Sequence, residues 1–177
     1  MRKFQSFILY FLLYSFVGWF YEVFLEVVIY QWGYSDRGVL QGPYCVVYGF
    51  GAILLLLLLI PLKEKRIKLG KINITPFLVF LGILLITTTV ELIASYIMEA
   101  ITGSFMWDYS NFWGNYQGRI APNTSLRFGI GGMVFLYLFQ PLFDKLTGKM
   151  SEKVLTILSS GVALLLICDT IYTFFIK

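Results

Sequence analysis

Apolar residues gather into five long runs, at about residues 4–30, 45–62, 75–101, 127–143 and 154–176. Each is near or above the ~20 residues an α-helix needs to cross a ~30 Å hydrocarbon core. The pattern therefore predicts an all-α, polytopic transmembrane bundle of about five helices, a single membrane domain over residues 1–177. The connections alternate in character. Residues 63–74 and 144–153 are rich in lysine and otherwise plain, whereas 31–44 and 102–126 are dense in Gly, Pro, Trp, Tyr and Asn, the chemistry of structured turns.

A few polar positions interrupt the apolar runs at helical spacing. Ser15, Gly18, Glu22 and Glu26 recur at steps of three and four, and Thr87, Glu91, Ser95 and Glu99 at steps of four, so each set forms one stripe on its helix. At ~1.5 Å per residue, Glu22, Glu91 and Asp169 stand about 22 to 27 Å from the lysine-bearing ends of their runs. A carboxylate at that depth is costly against lipid and is expected to face the bundle interior, a wet cavity or a partner. Arg37, Arg119 and Arg127 flank the same end. Guanidinium grips carboxylates in pairs of hydrogen bonds, so Arg37 and Arg119 are expected to fold back onto Glu22, Glu91 or their neighbours. The candidate substrate-binding set is Glu22, Arg37, Glu91, Glu99, Asp108 and Arg119, supported by Trp19, Glu26, Trp107, Tyr109, Asn115 and Asp169. The competing reading is that these pairs merely lock the loops onto the helices.

Charge fixes an expected orientation. Ten of the fourteen bases lie at the N-terminus and in the 63–74 and 144–153 loops, which makes those segments cytoplasmic. The N-terminus is then inside and the C-terminus outside, and the net charge of +4 needs no nucleic-acid partner. On the outer side seven acids face four bases, a surplus that favours a cation or zwitterion over an anion. The basic start of the first run imitates a secretory signal, but the first alanine is Ala52, so the segment is expected to remain as an anchor. Histidine is absent, which removes Ser/His triads and imidazole ligands. Cys45 and Cys168 have no CxxC spacing, so neither a metal nor a cofactor is expected. Gly70-Lys71 and Gly148-Lys149 are isolated dipeptides outside any P-loop, so ATP hydrolysis would require a separate ATPase.

The two halves can be laid beside one another. GWFYEVFLE, a loop with DRGVLQGP and the helix start YGFGA parallel TTTVELIASYIME, QGRIAPNTS and RFGIGG. The expectation is a parallel two-helix internal repeat with the last helix extra, making Glu22 and Glu91 pseudo-equivalent.

Gly18-Trp19 with Glu22, Arg37-Gly38, Leu40, Gly42-Pro43, Tyr48-Gly49-Phe50-Gly51, Glu91, Glu99, Trp107-Asp108-Tyr109-Ser110, Asn115 and Gly118-Arg119-Ile120 resemble the bacterial family of putative ABC-transporter type IV, or CmpB-like, permeases. The chain departs from it at Val46-Val47, where Pro-Ile is usual, and at Ala121 and Phe128, where Cys and Trp are usual. The resemblance implies a permease or substrate-binding component of a transporter, with partners in the lipid bilayer, a separate ATPase or other membrane subunit, or a second copy of the chain. Two other readings stand beside it: a structural, assembly or sensor protein, and an intramembrane enzyme acting on lipid or envelope material with Glu22 or Glu91 as acid/base.

Overall fold

The computed structural model describes residues 1–29, 31, 33–34, 38–104 and 107–176, with the side chains of 101 and 102 left aside. Five helical spans are long and apolar enough to cross a membrane: Arg2–Ile29, Val46–Lys63, Thr75–Ala100, Pro122–Lys149 and Glu152–Ile176. The first consists of α1 (Arg2–Phe24) and a π turn, Leu25–Ile29. The second is α2 (Val46–Lys63) and the third α3 (Thr75–Thr102), which ends on Gly103 in the left-handed conformation. The fourth joins α4 (Pro122–Val134), a π turn Phe135–Phe139 and α5 (Gln140–Lys149). The fifth is α6 (Glu152–Ile171) with a closing π turn, Tyr172–Ile176.

The fourth span begins at Pro122 and ends at Lys149, so it extends past the 127–143 apolar run on both sides. Pro at the first helical position has no N–H to leave unpaired, and its fixed φ starts the helix before the sequence turns apolar. Between α2 and α3 the lysine-rich segment contains a two-residue hairpin, β1 (Lys68–Leu69) with β2 (Ile72–Asn73), turning at Gly70.

The chain divides into two compact units, one of residues 1–54 and 143–177, the other of residues 55–142. In the first, α1 packs along α6 and against the start of α2. In the second, α3 packs along α4. The contact of α1 with the start of α2 and that of α3 with α4 use the same register. A Cβ on Gly49 would strike Phe11 and Ser15, and one on Gly129 would strike Phe80 and Leu84. The struck residues differ by 69 positions, the same separation as Glu22 and Glu91. Burial follows the same shift: Tyr10, Tyr14 and Glu26 are buried, as are Val79, Ile83 and Ser95. On the partner helices, 80 positions apart, Tyr44, Gly49, Ala52 and Leu56 are buried, as are Thr124, Gly129, Gly132 and Leu136. Glycine at the crossing lets the backbones approach closely, the usual device where helices associate without a hydrophobic driving force.

The π turn in the fourth span has a local cause. Gln140 N–H donates to Phe135 C=O five residues back, and Pro141 has no N–H to offer Leu136. The Leu136 carbonyl is instead taken by Lys63, whose Nζ lies 2.6 Å away and sits over the Tyr137 ring.

Candidate functional site

In the first unit the site grows from Gly18. The ring of Tyr48 lies against the Gly18 Cα, where any side chain would collide with it. That approach carries the Tyr48 hydroxyl to Glu22, one helical turn further along α1, where it donates a hydrogen bond to Oε1. Ser15 and Trp19 stand on the same face as Glu22, at steps of four and three. Among the described residues, Ser15 Oγ and Trp19 Nε1 are buried with no hydrogen-bond partner. Glu26 is buried in the π turn above them.

Asp169 on α6 holds down the residues that lead into α2. It accepts from Gln41 N–H and Gly42 N–H, both at 3.1 Å, from the Tyr44 hydroxyl, and from Thr173 at 3.3 Å. All four donors are neutral. Burial, followed by the bond to Asp169, pushes the Tyr44 phenol well above its usual range, so it remains a donor at any physiological pH. Beside this clamp a groove of about 550 Å³ runs along Pro43, Tyr44, Leu165, Cys168 and Tyr172.

In the second unit the carboxylates of α3 meet the loop that follows it. Glu91 Oε1 accepts from the Tyr109 hydroxyl at 2.9 Å, while Oε2 is buried without a partner among the described residues. One stripe step on, Arg119 forms an ion pair with Glu99, approaches Ser95 Oγ at 3.3 Å and lies 4.1 Å from the centre of the Tyr96 ring. The guanidinium is buried, and the carboxylate is about half exposed. A bidentate-capable cation stacked on an aromatic face suits such a partly buried position.

The loop is built to present these groups. Trp107 Nε1 donates to the Arg119 carbonyl at 2.8 Å, and Tyr109 N–H donates to Gly118 C=O at 2.8 Å. Asn115 donates to the carbonyls of Ser110 and Phe112 and accepts from Gly118 N–H, closing the turn. Gly118 has φ +68°, and a Cβ there would meet Asp108 Oδ1 and Ser110 Oγ at 2.7 Å, so only glycine fits. Asp108 accepts from the hydroxyl and then the N–H of Ser110, which holds its carboxyl below the usual range.

The sequence places Arg37 and Arg119 on Glu22, Glu91 or their neighbours, and Glu99 is such a neighbour on the α3 stripe. Arg119 goes to Glu99 and leaves Glu91 to Tyr109; Arg37 lies outside the described residues. Tyrosine is the partner instead: Tyr109, expected among the supporting residues, meets Glu91, while Tyr44 and Tyr48 stood outside the expected set. The signal available was the i, i+4 spacing of Tyr44 and Tyr48 ahead of a glycine-containing helix. A second polar cluster, also missed, sits at the lysine-bearing end of the first unit. There Tyr10 bonds Asp144 at 2.6 Å and Thr147 at 2.8 Å, and Arg2 donates to the carbonyls of Thr147, Gly148 and Met150 at the end of α5. A cation at a helix C-terminus satisfies carbonyls that have no partner within the helix and opposes the dipole.

Among the described residues, no group of three or more acidic or cysteine side chains is placed to hold a metal ion. A family model described as putative ABC-transporter type IV matches residues 9–174. No curated protein and no solved structure matches the chain.

Proposed function

The chain belongs to the putative ABC-transporter type IV family, and from that premise we propose that it is the substrate-binding permease component of a transporter. In this reading it works with a separate ATPase in a bacterial plasma membrane, with its N-terminus cytoplasmic. Each unit carries its own outward-facing polar stripe, that of α1 in the first and that of α3 in the second, and each stripe takes a cation or zwitterion. The observation that carries the reading is hydrogen-bonding capacity left unused along those stripes. Glu22 and Glu91 are each held by a tyrosine hydroxyl and by no cation among the described residues. Ser15 Oγ, Trp19 Nε1 and Glu91 Oε2 are buried with no partner among the described residues. Each such group costs about 1–3 kcal/mol unless something satisfies it.

Purified protein in nanodiscs tests this by thermal shift against inorganic and organic cations and amino-acid zwitterions. A ligand present at 100 times its Kd stabilises the folded state by about 2.7 kcal/mol. Selective stabilisation of wild type, lost in Glu91→Gln, supports the reading; equal response to every cation removes it. Orientation has its own test in intact cells lacking Cys168. An impermeant thiol reagent should reach Trp113→Cys and spare Leu69→Cys, and the reverse pattern would invert the topology.

The locking role is favoured at one place by a specific observation, the Arg119–Glu99 pair beneath the Asn115 turn. That pair positions the loop, and the binding reading rests on Glu22 and Glu91.

A further inference from the structure

The first unit carries a second feature that the stripe site does not use. Beyond the groove along Pro43, Tyr44, Leu165 and Tyr172, a smaller one of about 290 Å³ is lined by Leu12, Leu13 and Phe16 of α1 together with the same Pro43, Tyr44 and Leu165. The shared residues make the two adjoining stretches of one open channel along α1 and α6, with residues 43–44 at their junction. Its walls are almost wholly apolar, and Phe16, Leu165 and Tyr172 are each about half exposed. Counted from Glu152 at ~1.5 Å per residue, Leu165 lies about 20 Å along α6 and Tyr172 about 30 Å. The channel therefore runs along the half of the span nearest the 31–44 loop, at the depth where lipid chains lie. At its far end sits Asp169. Four neutral donors stabilise its negative charge and none cancels it, because no cation among the described residues reaches it.

We propose that this channel binds one lipid of the surrounding bilayer, with an acyl chain between α1 and α6 and an amine headgroup at Asp169. The occupant has to be thin, long and apolar, which a soluble cation is not. It has to carry positive charge at one end, which an anionic lipid does not. It must also enter sideways from the hydrocarbon, since the channel is open along its length. The site is separate from the one assigned to transport, since neither Glu22 nor Glu91 lines the channel.

Native mass spectrometry of the whole chain, released from micelles containing equal amounts of amine-headed and anionic lipids with identical chains, tests this. Wild type is expected to retain one amine-headed lipid per chain, about fivefold over the anionic one, the preference that one charge near a membrane surface supplies. Leu165→Trp fills the channel and should cut retention of both lipids about tenfold, as the contact of one or two methylenes is lost. Asp169→Asn should keep a chain in place and lose the headgroup preference. Equal retention of the two lipids by wild type overturns the proposal. So does retention untouched by Leu165→Trp, or a lipid-free dimer, which would mean that a second copy covers the channel. If Asp169→Asn fails to fold, the Leu165→Trp result and the wild-type preference still decide. Lipid selectivity without any cation effect in the thermal-shift screen would leave this site standing and remove only the transport reading.

Discussion

Tyr48→Phe removes a single oxygen from the first unit and leaves the ring against Gly18 in place. The ring is tolerated without its hydroxyl, because Phe128 occupies the corresponding position of the second helical pair, 80 residues on. What is lost is the donor to Glu22, and no other partner for that carboxylate exists among the described residues. A hydrogen bond to a charged group is worth about 1.5–3 kcal/mol in water-soluble proteins. Double-mutant cycles inside membranes average about 0.6 kcal/mol and reach about 1.7. The expected coupling between Tyr48→Phe and Glu22→Gln is therefore about 0.6–1.7 kcal/mol, with each single variant less stable than wild type. Reversible unfolding in mixed micelles, followed for all four proteins of the cycle, measures it. A coupling under about 0.3 kcal/mol, the scatter seen between independent sites, would mean that Glu22 is held by something other than Tyr48, and the account of the α1 stripe would fail.

The second unit makes comparable demands. Gly118→Ala forces a side chain into a left-handed position already crowded by Asp108 and Ser110, and should cost about 1–3 kcal/mol, read as faster proteolysis within residues 107–120. Arg119→Ala strips Glu99 of its partner and leaves Trp107 with a shifted carbonyl; with Glu99 half exposed, the cost should be about 1–3 kcal/mol by thermal melting, below that of a fully buried pair. Asp108 has a lowered pKa, so its contribution to loop order is complete above the ordinary carboxylate range near pH 4 and is lost as pH falls through the lower folded value. Hydrogen exchange at Ser110 and Gly118 should therefore accelerate at pH 3 relative to pH 6, and Asp108→Asn should make exchange fast at both.

The five spans were legible because apolar runs of that length have few other uses, and the stripes because a carboxylate every turn or so survives any uncertainty in helix bounds. The identity of the partners was not legible. A carboxylate accepts equally from guanidinium and from phenol, and a tyrosine near an apolar run looks like part of the interfacial belt until the backbone brings it to Glu22, Glu91 or Asp169. The early start at Pro122 was hidden by the polar Asn123, Thr124 and Ser125, which read as loop. Arg2 illustrates a different limit. Counted as a charge it indicates orientation, but its hydrogen bonds to the end of α5 appear only when residues 145 positions apart are brought together. The shared register of the two helical pairs lay within reach of the sequence, since Gly49 and Gly129 mark it, but which residues each glycine meets depends on how the helices cross.

That register also makes a difference between the pairs informative. Glu22 takes its hydrogen bond from α2, a transmembrane helix, so its environment holds for as long as the bundle does. Glu91 takes its bond from Tyr109, in a loop, where the corresponding helical position is the hydroxyl-free Phe128. Loops open on nanosecond to microsecond timescales, and packed helices separate far more slowly. The two carboxylates thus run on different clocks. Glu22 keeps its phenol as long as the helices stay packed, whereas the bond to Glu91 holds only as long as the loop of Tyr109 and Asn115 stays closed.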